Sequence, residues 1–174
     1  MKYDEFRIIA KTGGLLGAHG HGIIGTIIRV ATGESLQHVA ILFWEGDGLF
    51  VAEFIEGTGF QIMAASQWVK KRKKYIIYYG YPPEEVLNNQ ELVKKLIYSI
   101  RDDDNAFKRN YNYWELPIVW FANIFGHSVS SLGGVCSSFV GRIYDKCGVK
   151  KHMQVPGDMF EICDSFGKIT YDDN

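Results

Sequence analysis

The stretch Gly133-Gly134-Val135-Cys136-Ser137-Ser138-Phe139-Val140 decides how the rest of the chain is read. Cys136 stands just ahead of Phe139, Val140, Ile143, Tyr144 and Cys147, whose spacing predicts an amphipathic helix with the cysteine at its start. There the unpaired backbone N–H groups and the positive end of the macrodipole favour an anion, so a thiol loses its proton more readily. The glycines before it let the backbone turn sharply and let a substrate approach, and Gly148 suits the left-handed residue that ends a helix. Taken alone, the same pattern also suits a small cysteine packed in the core, because free cysteine is among the most buried residue types. A nucleophile needs a partner that takes its proton.

The partner comes from His38-Val39-Ala40-Ile41-Leu42-Phe43-Trp44, a turn at Glu45-Gly46-Asp47-Gly48, and Leu49-Phe50-Val51-Ala52-Glu53-Phe54. Two apolar, β-prone runs around a Gly/Asp turn predict a hairpin. With the turn centred on Gly46 and Asp47, His38 and Glu53 or its neighbour face each other across the strands. Cβ atoms of such pairs are about 5 Å apart, so a carboxylate can reach an imidazole, fix its tautomer and favour its protonated form. Read singly, His38 is an exposed strand end and Glu53 a solvated carboxylate. Gln37 and Asn112 are the alternatives to Glu53 as the group that orients the base.

Composition bounds the class. A chain of 174 residues, 47% hydrophobic, suits one domain over 1–174, with a disordered tail expected at about 168–174. Lysine and arginine number 19 against 20 acidic residues, which gives no electrostatic reason to expect nucleic acid or an anionic membrane as obligatory partner. Cys136 and Cys147 lie roughly 16 Å apart along one expected helix and cannot bridge each other within it; with Cys163 as the third cysteine, no disulfide framework is indicated. The sequence shows no signal-peptide h-region and no uncharged apolar run of about 18 residues. A cytoplasmic protein, or one released by lysis or a dedicated export machine, is the expectation.

Elsewhere, Phe6 to Ala10 reads as a short strand, and Leu15 to Gly22 as a glycine-rich loop carrying His19 and His21. Two histidines at spacing two lack a third ligand of the usual spacing, so no metal and no other cofactor is expected. Ile23, Ile24, Ile27, Ile28 and Ala31 predict a core helix closed by Gly33. Gly59 to Met63 adds a strand, Ala64 to Val69 a short helix, and Tyr75 to Tyr79 a strand stopped by Gly80 and Pro82-Pro83. The basic run Lys70-Lys71-Arg72-Lys73-Lys74 suits either a solvated edge or contact with a polyanion. Asn88 with Glu91, and Asp158 with Glu161, read as capping pairs, the first before a helix with Leu92, Val93, Leu96, Ile97 and Ile100 on its buried stripe. In the aromatic segment Tyr111 to Phe125, Ile118 to Phe125 is apolar nearly all round, which fits a buried helix or a surface helix awaiting a partner.

A histidine opening a strand, a carboxylate on the next strand and a much later cysteine opening a helix resemble the circularly permuted branch of the NlpC/P60 papain-like superfamily. That branch includes YiiX-type proteins and lecithin retinol acyltransferase. The matching pieces are Ile28-Arg29-Val30-Ala31-Thr32-Gly33, Gln37-His38-Val39-Ala40-Ile41, Val51-Ala52-Glu53, Tyr111-Asn112-Tyr113, Val135 to Val140, and Val155-Pro156-Gly157-Asp158. The resemblance implies an α+β fold, an antiparallel sheet packed against a helix carrying the nucleophile at its N-terminus. It also implies Cys136 as nucleophile, His38 as general base and Glu53 as polar third residue. Tyr113, Trp114 and Ser137 are the candidates for substrate contact.

Three functions compete. The first is a cysteine hydrolase cleaving a peptide, isopeptide or cell-wall peptide amide through a thioester acyl-enzyme. The second is an acyltransferase or lipid amide or ester hydrolase, with Leu116–Phe125 touching acyl chains or a membrane. The third is a catalytically idle binding or structural protein with the same fold.

Overall fold

The computed structural model describes residues 1–19, 36, 38–55, 58–103, 136–150, 156–163 and 165–170. The hairpin forms about the expected turn: β2 (His38–Glu45) and β3 (Gly48–Ile55) pair with Trp44 opposite Leu49 and Glu45 opposite Gly48. β4 (Gly59–Ala64) extends the sheet beyond β3. On the other side of β2 lie β1 (Leu15–Ala18), β5 (Ile77–Tyr81) and β6 (Ser165–Ile169), giving a six-stranded antiparallel sheet in the order β4-β3-β2-β1-β5-β6.

Central strands are buried on both faces, so their alternation sorts apolar side chains into two cores. Val39, Ile41, Phe43, Ala52 and Phe54 face one core. It is completed by α4 (Gln90–Arg101), α5 (Cys136–Lys146) and α6 (Pro156–Glu161). Ala40, Leu42 and Val51 face the other, under α1 (Tyr3–Ile9) and α2 (Ala65–Lys71). The short α3 (Glu84–Leu87) joins β5 to α4. α5 lies across β2 and β3. Its Phe139, Val140, Ile143 and Tyr144 are all buried, each aliphatic or aromatic side chain contributing about 1.5–3 kcal/mol. The helix ends as its sequence suggests, with Gly148 at a φ of 97°.

Several expectations are corrected. Residues 6–10 are not a strand: Phe6 and Ala10 are buried at helical spacing while Ile8 is 81% exposed, so a single face of α1 meets the sheet. Leu15 to Ala18 is not a loop but a strand near the middle of the sheet. The Phe160 ring lies across it: a Cβ on Gly17 would stand 2.7 Å from Phe160 Cζ, and one on Gly80 3.1 Å from Cε1. Gly80 continues β5 instead of stopping it, and a Cβ there would also stand 2.5 Å from Cys163 Sγ, so a glycine suits the position. Asn88 closes α3, and the helix once assigned to it starts after Asn89, whose side chain donates 2.8 Å to the Glu85 carbonyl without capping α4. α6 opens at Pro156, whose missing N–H costs nothing at a first helical position, so Asp158 falls inside the helix. Of the residues expected in a disordered tail, Lys168 and Ile169 belong to β6 and Thr170 bridges Lys2, while 171–174 lie outside the described residues. The expected helix over 23–33, His21, Gln37, Asn112, Tyr113, Trp114 and Leu116–Phe125 lie outside the described residues.

Candidate active site

His38 is the first residue of β2, paired to Ala18 of β1. Continuing the hairpin register from Ile41 opposite Ala52 sets Ala40 against Glu53. His38 and Glu53 thus share a face on the diagonal instead of standing directly opposite, and the length of both side chains closes the gap. His38 Nε2 and Glu53 Oε2 are 2.6 Å apart.

Glu53 is fully buried and saturated with donors. Gln61 on β4, directly across from it, donates to Oε1 at 2.6 Å. Trp68 on α2 donates its indole N–H to Oε2 at 2.7 Å. Arg72, just beyond α2, reaches Oε2 at 3.0 Å and Oε1 at 3.2 Å, with its guanidinium 4.1 Å above the Trp68 ring. Burial opposes the charge on Glu53. The hydrogen bond and charge of His38, then the charge of Arg72 and the Trp68 N–H, outweigh it and hold the carboxyl at about 2.

Cys136 opens α5 on the opposite face of the sheet from Trp68, and His38 reaches both because it sits at the strand's end. Burial would raise the thiol. A hydrogen bond and charge from His38, with the backbone N–H groups of Val39 and Ser137, bring it below its ordinary value instead. Burial likewise works against a charged imidazole, but hydrogen bonds and charges from Cys136 and Glu53 raise His38 to about 9 from an ordinary 6.5. With Nε2 on Glu53, Nδ1 is left for the thiol. A lowered thiol beside a raised imidazole favours transfer of the sulfur's proton to the ring, which is what an activated sulfur nucleophile needs.

The sequence-derived residues Cys136, His38 and Glu53 come together, and Ser137 is buried beside the cysteine, its backbone N–H turned to the sulfur. Gln61, Trp68 and Arg72 were not anticipated. Arg72 was hidden in a basic run that reads as solvent-facing, yet its side chain is 14% exposed while Lys70, Lys71, Lys73 and Lys74 are exposed around it. A tryptophan three residues after the buried Ala65 and four before Arg72 was the available sign of an inward helix face.

His19 lies against the Tyr78 ring, centroids 5.8 Å apart. Among the described residues no group of three or more His, Cys, Asp or Glu side chains is placed to hold a metal ion. Both oxygens of Glu53 are already occupied by N–H donors. Among the described residues no helix is long and apolar enough to cross a membrane.

No family model and no curated protein sequence matches the chain. Among solved structures, the metalloprotein yiiX from Escherichia coli O157:H7 is similar, with a TM-score of 0.50 and 14% identity over 94% of this chain and 98% of that one. At that identity the likeness is one of fold, and the α+β architecture is YiiX-like.

Proposed function

We propose that the protein is a cysteine hydrolase of the circularly permuted NlpC/P60 papain-like type, cleaving an amide bond of a peptide, isopeptide or cell-wall peptide through a thioester. The observation that carries this reading is one imidazole held between a buried carboxylate 2.6 Å away and the thiol that opens α5. The chain order supports the permutation: histidine strand, carboxylate strand, then cysteine helix.

In this reading the Cys136 thiolate attacks the carbonyl carbon, and a backbone N–H at the start of α5 helps hold the developing oxyanion. His38 gives its proton to the leaving amine, so the C–N bond breaks and a thioester remains. The neutral ring then takes a proton from water, hydroxide attacks the thioester, and the acid leaves with the thiolate restored. Glu53 keeps the ring oriented and supports its charged form.

Intact-mass spectrometry after brief exposure to iodoacetamide, across pH, tests the reading. One rapid adduct on Cys136, persisting well below the ordinary thiol pKa of about 8.5, is expected. Labelling no faster than that of a free thiol, rising only above that pH, would overturn it.

A further inference from the structure

We propose that Arg72 is a positioning residue of this site, a permanent counter-charge that keeps the buried Glu53 ionised whether or not His38 carries its proton. The proposal rests on the reading of Cys136 and His38 as nucleophile and base. A carboxylate taken wholly out of water needs a charged partner. If His38 alone supplied it, each proton given to a leaving group would strand Glu53, and the ring would hold its proton too tightly to serve as acid and base in turn.

Arg72 removes that conflict. A guanidinium does not titrate in the working range, and its Nη2 lies within reach of both carboxylate oxygens, at 3.0 and 3.2 Å. Trp68 fixes it from below and spends its own N–H on the same carboxylate. Four charges then alternate through the sheet from one face to the other: thiolate, imidazolium, carboxylate, guanidinium. Among the described residues the groups facing His38 are Cys136 from α5, Glu53 from β3 and Trp68 from α2, while Arg72 stands behind Glu53 with Tyr75 beyond it. The exposed lysines of the run lie outside this chain of contacts.

The test is the titration of His38 by NMR of histidine-labelled protein, in the native chain, Arg72→Gln and Arg72→Lys. Loss of a positive charge at this range raises every nearby proton affinity, so Arg72→Gln moves the His38 midpoint up by about one pH unit. Arg72→Lys keeps the charge and leaves the midpoint near its native value. A folded Arg72→Gln with a lowered midpoint, the direction expected of Glu53→Gln, would mean that Glu53 loses its charge without Arg72 and would support the proposal, whereas an unmoved midpoint would overturn it. So would a folded Arg72→Lys that shifts as far as the glutamine variant; this arm stands by itself should Arg72→Gln not fold. A native protein whose Cys136 fails to label with iodoacetamide sinks the nucleophile and leaves the electrostatic role of Arg72 to be read from the same titrations.

Discussion

Cys136 and Cys147 stand at the two ends of one helix and are buried to nearly the same degree, 4% and 6% exposed, yet their thiols shift in opposite directions. At Cys147 burial acts by itself and raises the thiol. At Cys136 the same burial is overridden by His38 and by backbone N–H groups at the helix start. Burial by itself therefore does not set the direction in which a thiol shifts. What sets the direction is whether the desolvated sulfur has a basic ring and N–H donors beside it, and Glu53, itself bonded to Arg72, stands on the other side of that ring.

The strongest way to break this contrast is to exchange the roles of the two thiols. Cys136→Ala is expected to lower turnover of an activated acyl ester by at least ~1,000-fold while leaving the denaturation midpoint close to native. Comparable loss from Cys147→Ala would mean the wrong sulfur has been chosen.

Removing the support behind His38 should do less. Glu53→Gln keeps the shape and loses the charge, so turnover should fall by one to three orders of magnitude, at about 1.4 kcal/mol for each tenfold. The His38 midpoint should drop below about 9, and iodoacetamide labelling of Cys136 should move to higher pH. Because the substitution leaves Arg72 buried without its carboxylate, a lower melting temperature should accompany it. Unchanged titrations would make Glu53 a bystander.

A smaller effect concerns stability against pH. Glu53 titrates at about 2 in the fold against 4.5 ordinarily, so its contribution is complete above about 4.5 and is lost as pH falls toward 2. His38 titrates at about 9 against 6.5, so its contribution is complete below about 6.5 and is lost as pH rises through 9. Urea midpoints should be flat between those limits and decline on both sides. In Glu53→Gln the acid-side decline should weaken, and its persistence at full size would assign it to other carboxylates. Smallest of all, Cys147→Ala should cost about 1 kcal/mol in urea unfolding, through lost packing, with turnover unchanged.

How far this was legible depended on the range over which each signal acts. The α5 helix, the hairpin turn and the pairing of His38 with Glu53 rest on contacts within a few residues or across one tight turn, and periodicity reports those. β1 was not legible, because Leu15 to Ala18 becomes a strand only by lying between β2 and β5, and its Gly17 answers to Phe160, far along the chain. β6 likewise exists through its pairing with β5. Arg72 escaped notice because a basic residue among lysines reads as solvated until a buried carboxylate is found to claim it.

By itself the amino-acid sequence determined where the local elements bearing the candidate residues begin: a cysteine at a helix start, a histidine at a strand start, a carboxylate across one turn. Only the tertiary structure decided that these meet, that β1 pairs alongside the histidine strand, and that Trp68, Gln61 and Arg72 close around Glu53. The reason is physical. Local periodicity records which face of an element is apolar, whereas charge compensation inside a core depends on which elements are brought face to face, and that follows from pairings between residues far apart in the chain.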